Sequence, residues 1–174
     1  HVVNCVGILT ESGRNTFDAV QEFGAKAIAE AARDAGATLT HISAIGAEAG
    51  SSTGYGRTKG RAEAAIHSVL PAAVILRPSI IFGPEDDFFN KFAKMARGMP
   101  FLPLIGGGKT RFQPVYVEDV AEAVARSVDG KLKPGAIYEL GGQDVMTFRD
   151  CLEAVLAATY RERPFVNLPF GVAS

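Results

Sequence analysis

Gly50-Ser-Ser-Thr-Gly-Tyr55-Gly-Arg-Thr-Lys59 leads into a stretch of small, charged and apolar residues that continues to Ser68. With a helix starting near Tyr55, residues Tyr55, Lys59, Ala62, Ile66 and Val69 share one face. A lysine then heads an apolar stripe, and the plainest explanation is that its ammonium snorkels into water near the frayed helix start. A Tyr and a Lys four positions apart are a weak signal by themselves. The segments on either side give the pair its meaning.

Upstream, Thr38 to Ile42 reads as a strand, joined to this helix by a loop rich in Gly, Ser and Ala. Downstream, Pro71 stops the helix and residues 73–77, Ala-Val-Ile-Leu-Arg, read as another strand. Residues 2–6, Val-Val-Asn-Cys-Val, form a short strand apolar on both faces, closed by Gly7, which favours a covered parallel sheet with neighbours on both sides. A helix follows from about Thr16 to Ala35, capped by Asn15 or Thr16 and ended by Gly36, with Phe17, Val20, Gly24, Ala27, Ile28 and Ala31 facing inward. Strand, helix, strand, helix, strand predicts an α/β fold with right-handed crossovers and a doubly wound parallel sheet. Such sheets bind ligands at the carboxyl ends of their strands, where Gly7, Ser43 and Pro78 lie.

Past the third strand the pattern changes. Residues 78–87 read as an irregular loop and Phe88 to Arg97 as an aromatic helix. Two extended segments, 101–105 and 112–116, flank Gly106-Gly-Gly108. A helix from Val117 to Val128 turns Val120, Ala121, Val124 and Val128 inward, Ile137 to Leu140 is a strand, and Thr147 caps a last helix reaching Tyr160. The expected organisation is a single partial domain, with 1–87 and about 109–140 as core and about 88–108 and 141–174 as a small cap. His1 opens directly on a strand pattern, which predicts residues before it, and residues 163–174 read as a strand entering a further segment.

The 174 residues, 47% hydrophobic and with 18 Lys and Arg against 19 Asp and Glu, describe a globular chain with a substantial core. Dispersed, balanced charge lacks the basic footprint of a nucleic-acid partner. No apolar run approaches a membrane span, and a cytoplasmic setting is expected. Cys5 and Cys151 lack metal-ligand spacing and read as reduced core residues; His41 and His67 have no metal-spaced partners, so no metal site is expected.

Several segments together resemble the extended and atypical branches of the short-chain dehydrogenase/reductase superfamily, which include sugar-nucleotide epimerases and dehydratases. They are residues 2–7, Ile42-Ser-Ala44, Tyr55-Gly-Arg-Thr-Lys59, Arg77-Pro-Ser-Ile-Ile-Phe-Gly-Pro84, Val115-Tyr-Val-Glu-Asp-Val-Ala121 and Tyr138-Glu-Leu-Gly-Gly142. Residues 76–93 and 112–121 look most like bacterial relatives of the nucleotide-binding accessory subunit of mitochondrial respiratory complex I. The resemblance implies a Rossmann-like sheet without its N-terminal glycine-rich βαβ part, and NAD or NADP as cofactor, with the phosphorylated form favoured. Gly106-Gly-Gly108 reads as a strand-to-strand turn and does not replace the missing pyrophosphate loop.

Carried onto this sequence, the resemblance makes Tyr55 the general acid/base, with Lys59 lowering its pKa and binding the nicotinamide ribose. Ser43 would orient the substrate oxygen. Ala44 stands where relatives often have a second serine; if that second residue is the reacting one, the hydroxyl comes from Ser51, Ser52 or Thr53 or is absent. Val6, Gly7, Ser43, Tyr55, Lys59, Pro78, Ser79 and Ile80 would meet the cofactor. Gln21 aligns with a supporting asparagine or is a solvated helix residue, and Arg111 resembles a substrate-phosphate arginine or is a solvated strand residue. Asp119 reads as a helix-start charge, and Phe88, Phe89 and Phe92 read as core or as an apolar substrate or docking wall. The implied partners are a small-molecule substrate or subunits of a respiratory complex, the latter at the cytoplasmic face of the inner membrane.

Overall fold

A computed structural model describes residues 1–169 and 171. In chain order the strands are β1 (Val2–Asn4), β2 (Leu39–Ile42), β3 (Val74–Pro78), β4 (Ile81–Phe82), β5 (Leu102–Ile105), β6 (Arg111–Phe112), β7 (Val115–Tyr116), β8 (Ile137–Leu140), β9 (Met146–Thr147) and β10 (Phe165–Leu168). The helices are α1 (Gly24–Asp34), α2 (Gly54–Val69), α3 (Phe89–Gly98), α4 (Val117–Val128) and α5 (Phe148–Thr159). They form two compact units, one of residues His1–Pro78 and Glu118–Leu140, the other of Ser79–Val117 and Gly141–Ser174.

In the first unit β1, β2, β3 and β8 make a four-stranded parallel sheet in that order. The strand period of two sends Leu39, His41 and Ser43 to one face and Thr38 and Thr40 to the other. On the first face α1 and α2 close over Leu39 with Ala25, Ala29, Ala32, Ala62, Ile66 and Ala73. On the other, Thr40 Oγ1 and Ser127 Oγ of α4 lie 2.6 Å apart. Helices therefore cover both faces, as a doubly wound sheet requires.

Three sequence expectations shift. The strand pattern ends at Asn4, and β1 lies at the sheet edge among the described residues, with β2 as its neighbour. Cys5 is consequently exposed, whereas Cys151 is buried in α5 as expected. Before α1 the chain makes a wide turn over Asp18–Phe23, in which the Gly24 N–H donates to Ala19 O, five residues back. That extra residue rotates the inward face by one position, to Gln21, Ala25, Ala29 and Ala32 in place of Val20, Gly24, Ala27, Ile28 and Ala31. Ile28 still packs at the cluster edge, and Ala31 is exposed. In α4, Val120 and Ser127 are buried while Ala121 and Val128 are exposed, because the helix turns its serine hydroxyl onto Thr40.

The α2 stripe falls as the spacing predicts. Ala62 and Ile66 are fully buried and Thr53 caps the helix, its hydroxyl accepting from Gly56 N at 3.2 Å. The glycines of this helix do a separate job: a Cβ on Gly60 would lie 2.3 Å from Ala49 N. The loop of residues 46–51 thus rests directly on the helix backbone, with Glu48 N donating to Gly56 O at 3.1 Å.

In the second unit β4 pairs with β7 and β5 with β10, both parallel, and β6 pairs antiparallel with β9. The segments flanking the triple glycine therefore join different ladders and do not form a hairpin. All three glycines take positive φ, between 57° and 73°, and turn the chain between β5 and β6. Phe92, Phe148, Leu102, Leu104, Leu152, Ala96 and Val155 form the core, and Phe88, Phe89 and Phe112 pack around it. The Phe88 ring stands edge-on to Phe89 and Phe92 at 5.1 and 5.4 Å, so the aromatic helix is core, as its composition suggested. Thr147 caps α5 in a reciprocal pair with Asp150. Strand β10 lies within the stretch expected at the chain end; Phe170 and residues 172–174 of that stretch lie outside the described residues.

Gly60→Ala should cost about 1–3 kcal/mol of unfolding free energy, because the new methyl meets backbone that cannot rotate away. Gly50→Ala, where a Cβ meets nothing within 4 Å, is the matched control in chemical denaturation.

Candidate functional site

The site grows from the carboxyl ends of β1 and β2 and the first turns of α2. Lys59 does not snorkel: it is 5% exposed, and its Nζ donates to Ile42 O at 3.2 Å. A Cβ on Gly7 would stand 3.3 Å from that Nζ, so the turn after β1 passes close beside the ammonium. Tyr55 is half-buried, stands edge-on to Phe17 at 5.9 Å, and has the Lys59 Nζ 6.0 Å from its ring centroid. The structure thus brings Gly7, Tyr55 and Lys59 together.

Gln21 pins these parts to each other. It is 1% exposed, which removes the solvated reading; its Nε2 donates to Ile8 O at 2.6 Å and its Oε1 accepts from Thr58 Oγ1 at 3.0 Å. The wide turn before α1 thereby holds both the loop after Gly7 and the turn of α2 between Tyr55 and Lys59.

Ser43 has a different partner from the one expected. Its hydroxyl, buried beneath α2, donates to Glu63 Oε1. Glu63 also receives Arg77, from Nε at 2.9 Å and from a terminal nitrogen at 2.6 Å, and Arg77 reaches Glu139 at 3.4 Å. A buried carboxylate needs such saturation, since leaving water costs it several kcal/mol. Glu63 raises the Arg77 pKa, chiefly through these hydrogen bonds.

Burial of the pair runs against the expected depression of the tyrosine pKa. Burial raises the Tyr55 phenol above its ordinary value. Burial also lowers the Lys59 ammonium, and the neighbouring Glu63 carboxylate partly opposes this. The ammonium lies toward the ring and spends a donor on Ile42 O, so desolvation of the phenol prevails over its field. Tyr55 in this arrangement is a protonated phenol, suited to donate a proton and not to take one.

His41 sits below, 1% exposed, accepting at Nδ1 from Asn4 Nδ2 at 3.0 Å. Asn4 Oδ1 takes Val6 N at 3.0 Å, which fixes the amide orientation and puts the imidazole proton on Nε2. That Nε2 is buried without a partner among the described residues. Burial, with a lesser effect from Lys59, lowers the His41 pKa to about 3, so the ring is neutral.

The remaining expected residues carry local roles. Val6 is exposed, and Pro78 O accepts from Ile45 N at 3.1 Å, extending the β2–β3 ladder. In the second unit, Ser79 Oγ accepts from Gln113 N at 3.3 Å and Ile80 O from Val115 N at 2.9 Å. Arg111 is exposed on β6, and Asp119 is an exposed charge in the first turn of α4. Ser51 and Thr53 hydroxyls lie 3.1 Å from each other, and Ser52 is exposed.

Residues 46–167 match the family described as the RmlD substrate binding domain. The chain belongs to that family. It is 38% identical to the mitochondrial NADH dehydrogenase [ubiquinone] 1 alpha subcomplex subunit 9 of Arabidopsis thaliana, over 99% of this chain and 44% of that protein. The family member thus spans about half the length of this relative. Its fold matches dTDP-4-dehydrorhamnose reductases of Clostridium acetobutylicum, at 17% identity, and of Bacillus anthracis in complex with NADP, at 14% identity. Each match has a TM-score of 0.82 and covers 99% of this chain and 66% of the other. The Rossmann-like α/β expectation and the superfamily resemblance both hold. No described helix is long and apolar enough to cross a membrane.

Sequence reasoning missed Glu63, Thr58 and Asn4. Glu63 carried the clearest signal, lying four residues after Lys59 near the same helical face, with Arg77 as an opposite charge closing an apolar strand. Charged residues at core positions imply a partner.

His41 titrates at 6.5 when unfolded and near 3 when folded, so unfolded chains bind the extra proton at low pH. Its contribution is complete above about pH 6.5 and is lost as pH falls toward 3, at up to about 1.4 kcal/mol per pH unit. Thermal unfolding of His41→Gln, which keeps an acceptor for Asn4, should show a flatter acid limb than the parent.

Proposed function

We propose that the protein carrying this chain binds a nicotinamide dinucleotide, NAD or NADP, at the Tyr55/Lys59 end of the parallel sheet. The observation that carries this is the Lys59 ammonium, buried yet making a single hydrogen bond among the described residues, to Ile42 O, beside the side-chain-free surface of Gly7. An ammonium has three donors and is not buried cheaply; two remain for hydroxyl or anionic groups. Ribose hydroxyls fit this donor set, and Gly7 allows close approach from the neighbouring turn. The NADP complex of the Bacillus anthracis reductase supports the same cofactor class here.

Of two uses for the cofactor, a binding role within a respiratory NADH dehydrogenase assembly is the better supported. The likeness to the Arabidopsis subunit supports it, and so does Ser43, whose hydroxyl is committed to Glu63. A dinucleotide held by the folded state alone stabilises that state by mass action. A peripheral position beside a membrane-bound complex agrees with this reading.

The second reading is an oxidoreductase or epimerase acting on a small carbonyl or nucleotide-sugar substrate, and the protonated Tyr55 phenol favours its reductive direction. The bound cofactor would supply hydride. Tyr55 would donate the proton to the nascent alkoxide oxygen, and Lys59 would hold the cofactor.

Calorimetric titration of the full-length protein carrying this sequence with NADPH and NADH tests the site. Lys59→Met should weaken binding by about tenfold or more, the loss of charge-assisted hydrogen bonds, while Tyr55→Phe stays within about threefold. No binding by the parent protein overturns the proposal. Oxidation of bound NADPH by a ketone or nucleotide sugar, abolished in Tyr55→Phe, selects the enzyme; copurification with respiratory subunits without turnover selects the binding subunit.

A further inference from the structure

Glu63 is 4% exposed, yet nothing in the proposed chemistry uses it. It joins three elements: α2 through its own backbone, β2 through Ser43, and β3 through the paired contact with Arg77. Ser43 N also donates to Leu76 O at 2.7 Å, so backbone and side-chain ties between β2 and β3 converge at this point. One turn back along α2, Lys59 bonds Ile42 O, the carbonyl immediately before Ser43. Glu63 and Lys59 thus tie α2 to two consecutive residues of the β2 end, Ser43 and Ile42.

We propose that Glu63 is a positioning residue for the Tyr55/Lys59 site, locking α2 onto the ends of β2 and β3 and supplying the buried countercharge to the Lys59 ammonium. Its functional meaning rests on the dinucleotide reading above. The charged and titratable groups facing Lys59 are few. Among the described residues they are, from α2, Tyr55, a neutral phenol, and Glu63, and from β2 His41, neutral; Arg77 of β3 joins the cluster through Glu63, and Glu139 of β8 through Arg77. Asn4 of β1, Gly7 and Gln21 carry no charge. Glu63 is thus the one buried anion of the cluster, shared between two cations, and it is what opposes the effect of burial on Lys59. Ser43 accordingly serves as a strut for this carboxylate, which accounts for a buried serine at the strand end without assigning it to substrate.

The test uses the full-length protein carrying this sequence, labelled with carbon-13 at lysine Cε, with Lys59→Arg to assign the Lys59 resonance. Its titration is followed by NMR from neutral to alkaline pH, with circular dichroism confirming the fold. In Glu63→Gln, which keeps the shape and one acceptor, the Lys59 midpoint should fall by about one pH unit. In Arg77→Gln, which releases the carboxylate from its competing cation, it should rise. A merely structural Glu63 would move neither midpoint. An unchanged midpoint in folded Glu63→Gln overturns the proposal, as does an unchanged midpoint in Arg77→Gln if the first variant does not fold. NADPH binding on the same samples should fail at lower pH in Glu63→Gln than in the parent. A parent that binds no dinucleotide overturns the functional reading alone, and the Lys59 midpoints then decide the role of Glu63.

Discussion

The Glu63 carboxylate, taken out of water between Ser43 and Arg77, is the constraint on which the rest of the first unit depends. An ionised carboxylate survives burial only if nearly all its lone pairs are used, and this one accepts from a hydroxyl and twice from a guanidinium. The requirement fixes three distances at once: helix to β2, helix to β3, and β2 to β3. Breaking one partner would strand a buried charge, a loss of about 3–5 kcal/mol that packing of small residues cannot offset. The hydrophobic cluster beneath α1 and α2 is built mostly from alanine, whose burial contributes little per residue. The alanines let the helices lie close to the sheet, and the ion pair sets where along it they lie.

Placement has electrostatic consequences. Lys59 is buried with a carboxylate one turn away, His41 is buried neutral, and Tyr55 keeps its proton. With Glu139 counted at the exposed edge, the cluster of Lys59, Glu63, Arg77 and Glu139 balances to neutrality. The balance is uneven in space, because the glutamates gather around Arg77 and leave Lys59 with unfilled donors toward Gly7. In the proposed reading that local excess of donors is what a ribose meets.

Much of this was legible in the sequence because it depends on short-range rules. The α2 stripe, the Thr147 cap, Gly36 after α1 and the strand at Ile137–Leu140 all follow from periodicity or capping chemistry. What escaped depends on groups far apart in the chain. The wide turn at Asp18–Phe23 has no composition of its own; Gln21 makes sense there only because Ile8 O and Thr58 need a partner. For Lys59 the stripe leaves a solvated reading open beside the cofactor-binding one, because it shows the helix neighbours and not the Ile42 carbonyl beyond them. Ser43 reads as a substrate group because its partner, Glu63, lies twenty residues on, and spacing along the chain does not show that the two side chains meet. Cys5 reads as core by residue type, but β1 ends one residue before it.

Binding and turnover make unequal demands on such a site. Holding a cofactor needs donors fixed in a rigid frame, and Lys59 has this through Ile42, Gly7 and the elements that Gln21 and Glu63 tie together. Hydride transfer to a substrate needs in addition a hydroxyl that is free, near the phenol and correctly aimed. Ser43 is bound to Glu63, Ser51 and Thr53 to each other, and Thr53 also to the helix start. Ser52 is exposed but lies in a loop held down through Gly56 and Gly60, whose missing side chains allow that contact. In the proposed reading, the frame that holds Lys59 also engages Ser43, Ser51 and Thr53, hydroxyls that turnover would need free, and this supports binding over turnover.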